Sequence, residues 1–248
     1  MNILITNDDG IYAPGIAALA RIAKEFGTVR IMAPDVEQSS MGHAITHSRP
    51  LYVKKSVISF NDIEALRVNG TPADCVALGT ELWPDTDIVL SGINMGTNLG
   101  NAMWHSGTLS AARQAVMLGF RGIALSTPVG DEEPDFDYLA PYVLQCLELL
   151  MHDTEPALYN VNFPRKPKAI AFTRQSVRHY DGRVVTGEDP LGRKNYWISV
   201  RPIEEVEVGT DRYEVQQGNI SITPLRLDLT DEEALQKMKK WDNIIFQS

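Results

Sequence analysis

Cysteine is scarce in this sequence: Cys75 and Cys146 are the two present in 248 residues. Two thiols cannot build the disulfide framework of a small secreted fold, and these lack the paired spacing of a zinc site, so both are expected to be buried thiols. Long hydrophobic runs are missing too. No stretch approaches the roughly 20 apolar residues needed to cross a bilayer. The opening Met1-Asn2-Ile3-Leu4-Ile5-Thr6 reaches an acidic pair at Asp8 without the basic flank or apolar length of a secretory leader. The expectation is a cytoplasmic protein with no membrane partner. Basic charge is in deficit as well: 23 Lys and Arg against 32 Asp and Glu leave a net charge of -9. Such a surface does not favour gripping a nucleic-acid polymer by its phosphates. A small anionic substrate stays compatible, because a bound cation inverts the local field. There is no Gly-x-Gly-x-x-Gly fingerprint, no P-loop, no internal repeat and no heptad array.

What is present is an alternation of short apolar runs with helical patterns. Asn2 to Thr6 reads as a strand, stops at Asn7-Asp8-Asp9-Gly10, and is followed by Ile16, Leu19, Ala20 and Ala23 at helical spacing. Val29 to Ala33 is a second strand ending at Pro34-Asp35. Leu51 to Val68 holds one or two strands between a long loop and a helix starting near Thr71-Pro72. Asp87 to Ser91 is a buried-looking run, and a helix over about Gly107 to Leu118 leads into Gly122 to Ser126. A helix from about Asp137 to Met151 and a strand at Leu158 to Asn162 come next. Short strands without clean alternation, interleaved with helices, predict an α/β fold: a Rossmann-like, mostly parallel sheet with helices on both faces. After Pro167 the texture shifts to short alternating runs, Trp197 to Val200 and Ile220 to Ile222, with a final helix near Asp231 to Trp241. A boundary near residue 170 therefore separates a core, 1–170, from a β-rich C-terminal extension, 171–248.

Ligands of open α/β sheets bind outside the carboxyl ends of the strands. Here those ends carry oxygen donors: Asn7-Asp8-Asp9-Gly10, then Asp35 with Gln38-Ser39-Ser40, then Asn94, Gly96 and Asn98. Because the chain must turn at Gly10, both aspartates can face one ion. Oxygen-only ligation without His or Cys suits one hard divalent cation such as magnesium or manganese. Taken alone, Asp8 and Asp9 read as polar loop residues or a helix cap, and it is the two further oxygen-bearing loops at neighbouring strand ends that turn the reading towards a metal. Ser106-Gly107-Thr108 opens a helix, where free N–H groups, the helix dipole and two hydroxyls make a phosphate cradle; the other reading is simple N-capping by Ser106. His43 and His47 lie in the loop after Ser40, where an imidazole either protonates a leaving alkoxide or is merely solvated. His105, beside Ser106, is a further candidate.

Several long motifs stand in order along nearly the whole chain. They are Ile3-Leu4-Ile5-Thr6-Asn7-Asp8-Asp9-Gly10-Ile11-Tyr12-Ala13-Pro14-Gly15-Ile16, Ala33-Pro34-Asp35 with Gln38-Ser39, and Asn69-Gly70-Thr71-Pro72-Ala73-Asp74-Cys75-Val76. They continue in Asp87 to Asn94 with Asn98-Leu99-Gly100, Ser106-Gly107-Thr108, and Ile220 to Leu225. Together these motifs resemble the SurE family of metal-dependent 5'/3'-nucleotidases, and the resemblance implies a hydrolase of nucleoside 5'- and 3'-monophosphates and, in some members, of short polyphosphate. It implies Asp8, Asp9, Ser39 and Asn94 as metal ligands, with Asn98 and Ser106-Gly107-Thr108 near the phosphate. Asp8, Asp9 and His43 are the catalytic candidates. A homo-oligomer, dimer or tetramer, formed through the C-terminal extension is also implied. Water attacking phosphorus directly and an aspartyl-phosphate route both remain open. A Rossmann-type nucleotide-binding protein or transferase without hydrolysis, and a structural or signalling module, are the rival readings.

Overall fold

The structure is a computed structural model that describes residues 1–130, 132–151, 157–177, 180–202 and 205–242. In chain order its elements are β1 (Asn2–Thr6), α1 (Pro14–Ala23), β2 (Thr28–Pro34), β3 (Val53–Lys55), β4 (Glu64–Val68), α2 (Pro72–Leu82) and β5 (Ile88–Met95). A 3-10 turn (Gly100–Trp104) precedes α3 (Gly107–Met117), β6 (Arg121–Thr127), α4 (Phe136–Leu150), β7 (Leu158–Asn162) and β8 (Ile170–Phe172). The chain closes with β9 (Tyr180–Glu188), β10 (Lys194–Pro202), α5 (Asp211–Gln216), β11 (Ile220–Leu225) and α6 (Glu232–Met238).

Nine strands form one sheet in the order β3-β4-β2-β1-β5-β6-β7-β11-β8. From β4 to β7 neighbours run parallel, while β3 at one edge is antiparallel to β4, and β11 is antiparallel to β7 and parallel to β8 at the other edge. Successive residues of a strand face opposite sides, so both faces must be apolar to be covered. Ile3 and Ile5 pack with Ile16 and Leu19 of α1 and with Leu139, Val143 and Leu147 of α4. Leu4 and Met32 point the other way, into Cys75 and Val76 of α2 and Ala111 and Ala115 of α3. The expected α/β architecture is therefore present. Cys75 and Cys146 are buried free thiols. Burial pushes the Cys75 thiol up, and that of Cys146 up to about 12, which keeps both unreactive.

The stretch beyond residue 170 divides in two. β8 and β11 complete the main sheet, with Ile222 opposite Val161 of β7, whereas β9 and β10 form a separate two-stranded antiparallel hairpin. α6 carries the expected Leu235 and Met238, and Trp241 lies just beyond it, but none of the helix's own residues is buried. Among the described residues no helix is long and apolar enough to cross a membrane.

Candidate active site

β1 has β2 on one side and β5 on the other, with Thr6 level with Ser91. The connections leave β1 in opposite directions here, so a crevice opens beyond the carboxyl ends of β1 and β5. Asp8 and Asp9 come directly after β1, and the turn at Gly10 takes φ 94°. On β5 the pairing with β6 shifts register between Ser91 and Asn94. Such a bulge re-aims the next side chain along the strand. Gly92 makes it possible: its φ is 139°, and a Cβ there would lie 2.3 Å from the Leu125 carbonyl oxygen.

The crevice is a cleft of about 630 Å³. Asp8, Ser39, Asn94, Asn98, His105 and Ser106 all line it. Five of these were expected at the metal or phosphate from sequence.

Asp8 is 5% exposed, and its surroundings are built by the start of α3. Thr108 Oγ1 donates to Asp8 Oδ1 at 2.5 Å, and the N–H groups of Gly107 and Thr108 are directed at the same carboxylate. A Cβ on Gly107 would lie 2.6 Å from the Asp8 Cβ, so only glycine lets the helix approach this closely. The positive end of α3, expected from sequence beside a phosphate, thus meets the chain's own Asp8 carboxylate. Ser106 keeps two functions. Its Oγ accepts the Leu109 N–H at 2.9 Å as the helix cap, and its side chain also lines the cleft.

Burial raises the Asp8 carboxyl above its ordinary value, opposed by the Thr108 hydrogen bond. Asp9 is pushed up to about 6, first by burial and then by the charge of Asp8, although its Oδ2 accepts the Met95 N–H at 3.2 Å. Glu37 adds a smaller upward push on Asp9. Among the described residues neither aspartate has a basic partner. Two carboxylates that repel each other out of water fit a divalent cation, and the oxygen-only donor set suits a hard one. The described residues contain no group of three or more His, Cys, Asp or Glu suited to a metal. A cation here would thus be held by two carboxylates with neutral oxygens completing the set. Ser39 Oγ donates to Glu37 Oε1 at 2.6 Å, which leaves its lone pairs available. Asn94 Nδ2 donates to the Gly96 carbonyl at 2.6 Å, and its Oδ1 is the atom that remains.

Asn98 is held rather than free. Its Nδ2 donates to Ser126 Oγ at 2.9 Å and, at 3.4 Å, to Thr108 Oγ1, the same hydroxyl that grips Asp8. Its backbone is fixed from β7 by Asn160 and Asn162.

His43 is not on the cleft wall. Its loop is pinned at one end by Gly42 N–H to the His105 carbonyl and at the other by Thr46 to the Asp74 carboxylate. The His43 Nε2 lies 2.8 Å from Gln114 Oε1 on α3. Among the described residues the histidine that does line the cleft is His105. Sequence reading also passed over Glu37 beside Ser39, and Gly182 and Ile198, which bring the β9–β10 hairpin to the cleft.

The family model described as Survival protein SurE matches residues 3–182. The chain is 44% identical over 242 residues to "5'-nucleotidase SurE 1" of Thermus thermophilus, covering 96% of each protein. It is 42% identical over 245 residues to "5'-nucleotidase SurE" of Deinococcus radiodurans, covering 95% of this chain and 91% of that one. The chain belongs to the SurE family. The fold agrees: the crystal structure of SurE protein from Aquifex aeolicus is 36% identical, covers 98% of this chain and all of its own, and superposes with a TM-score of 0.84. The cleft of this SurE family member is thus assembled by residues within the family match up to Gly182, with Ile198 lying beyond it.

Proposed function

We propose that this chain hydrolyses nucleoside 5'- and 3'-monophosphates to nucleoside and phosphate with one divalent cation, magnesium or manganese, and that short polyphosphate is a secondary substrate. The enzyme class is that of its curated relatives, a 5'-nucleotidase. The observation that carries the reading is the pair at the sheet's switch point, a buried Asp8 on the wall of a cleft of small-molecule size and a part-buried Asp9 next to it, with no basic partner among the described residues.

When bound, a divalent cation neutralises charge on a phosphoryl oxygen and makes water a better nucleophile at neutral pH. Asp8, Asp9, Ser39 and Asn94 would hold it. Thr108 and the Gly107 backbone orient Asp8, so the carboxylate is preorganised before substrate arrives. Ser106, at the mouth of the α3 N-terminus, donates its hydroxyl hydrogen to a phosphate oxygen while its lone pair caps the helix. Asn98 faces the same cleft, with its backbone held by β7. His105, rather than His43, protonates the departing alkoxide.

In this reading residues 1–170 supply the polar groups of the chemistry and 171–248 serve assembly into a cytoplasmic homo-oligomer. Phosphate release from AMP with added manganese or magnesium, and its loss on chelation, tests the proposal. Saturable AMP binding without phosphate release under any metal would replace it with a nucleotide-binding function.

A further inference from the structure

The cleft is larger than a phosphate and a cation require. At about 630 Å³ it falls in the range that encloses whole small molecules. Its polar groups, Asp8, Ser39, Asn94 and Ser106, gather where the loops after β1, β2 and β5 meet the start of α3. The hairpin contributes Gly182 of β9 and Ile198 of β10. Ile198 pairs with Val184, and Gly182 with Val200, so Gly182 and Ile198 stand on one face of the hairpin. A Cβ on Gly182 would meet nothing within 4 Å, and the Ile198 residue is 84% exposed. An apolar side chain thus stands open on a cleft that Asp8, Ser39, Asn94 and Ser106 also line.

We propose that Gly182 and Ile198 form the apolar wall that receives the base of a nucleoside monophosphate, Ile198 covering the ring face and Gly182 leaving room for it. The assignment rests on the phosphatase reading above and adds the part of the substrate that is not phosphate. Continuity fixes the occupant: whatever places a phosphate beside Ser106 and Asp8 extends the rest of itself into the same cleft. Neither wall residue offers a hydrogen-bonding side chain, so the base is recognised by area and not by its edge. The wall therefore accepts purines and pyrimidines alike, with only modest preference for the larger ring.

The test compares the full-length wild type with Ile198→Asp and Ile198→Leu, using AMP as substrate and inorganic phosphate as competitive inhibitor. The exposed position tolerates either residue without loss of fold. Ile198→Asp is expected to raise KM for AMP about tenfold with Ki for phosphate unchanged, and Ile198→Leu to behave as wild type. An unchanged KM overturns the proposal, as does an equal rise in KM and Ki. Light scattering runs alongside: a raised KM accompanied by a smaller particle mass assigns Ile198 to contact with a second copy of the chain and also overturns it. If wild type releases no phosphate from any nucleotide, the phosphatase reading fails separately. AMP affinity by calorimetry then decides the wall, a tenfold loss in Ile198→Asp supporting it and no loss overturning it.

Discussion

Asn162 holds the backbone of Asn98 as a neighbouring strand would: its Oδ1 accepts the Asn98 N–H at 2.8 Å and its Nδ2 donates to the Asn98 carbonyl at 3.2 Å. The pairing is fully buried. Asn162→Ala removes both bonds and strands the Asn98 N–H, which costs about 1–3 kcal/mol. We expect a stability loss of that size in urea titration, together with reduced turnover as Asn98 loosens, while manganese affinity stays near wild type. Wild-type stability in the variant would show that the amide pairing is dispensable.

Asp9→Asn separates charge from shape. The amide keeps the volume of the carboxylate but removes the repulsion from Asp8 and the attraction for a cation. Manganese affinity and phosphate release should both fall by tenfold or more, while the chelator-treated variant melts no lower than wild type. Retained affinity and activity would remove Asp9 from the ligand set.

The same carboxylate sets a pH dependence. Asp9 sits at about 6 in the folded chain against an ordinary 3.8. Between those values the folded state keeps a proton that the unfolded chain has lost, so ionising Asp9 lowers stability as pH rises from about 4 to about 6, and the penalty is complete above that. Asp8, raised for the same reason of burial, acts with the same sign. In chelator-treated protein the melting difference between Asp9→Asn and wild type should therefore grow in the variant's favour from pH 4 to pH 7. Added manganese should stabilise wild type more at pH 7 than at pH 5, because protons compete for the ligand. A manganese effect independent of pH would contradict the shift.

Ser106 requires two variants. Loss of the cap in Ser106→Ala costs about 1 kcal/mol, whereas Ser106→Gly loses only a few tenths, since glycine is itself a fair N-cap. Both lack the hydroxyl. If that hydroxyl meets the phosphate, the two variants should show the same rise in KM or fall in kcat despite different melting temperatures. Kinetics that track melting instead would make Ser106 a helix cap alone.

Truncation after Leu225 removes α6 together with the rest of the C-terminus. Leu235, Met238 and Trp241 are exposed there, and a helix with no buried residue finds its burial on another subunit most economically by exchange of identical elements. The truncated chain should have a smaller mass by light scattering and lower activity, with manganese affinity intact. A monomeric wild type, or unchanged mass and activity after truncation, would refute this role.

The sheet and its helices were legible in the sequence because burial on both faces writes itself as short unbroken apolar runs, as in Ile3-Leu4-Ile5. That Asp8, Ser39, Asn94 and Asn98 share one cleft was legible for a different reason: they stand at strand ends, where topology alone gathers side chains. The place of His43, beside Gln114 and off the cleft wall, was not legible because a loop's path depends on pins such as Thr46 to Asp74, which no local pattern encodes. Gly107 and Thr108 carried the right chemistry, a helix N-terminus for an anion, but the nearest anion is the chain's own Asp8. One signal was available and unused. Asn160 and Asn162 put two amides on the same face of an otherwise apolar strand, which is costly unless they are paired. Ile198 had no such signal, because only the placement of the hairpin brings it to the cleft.

The antiparallel seat of β11 beside β7 also bears on how the chain is made. While the ribosome has released only the first 170 residues, β7 can pair with β6 on one side and has nothing on the other. A strand edge with free N–H and C=O groups invites pairing with other chains. The nascent protein thus carries an adhesive flank for some fifty further residues of synthesis, until Ile220–Leu225 emerges to cover it. Genetic fragments that end near residue 170 keep that flank permanently, and self-association of such pieces is the outcome to plan for when the chain is dissected.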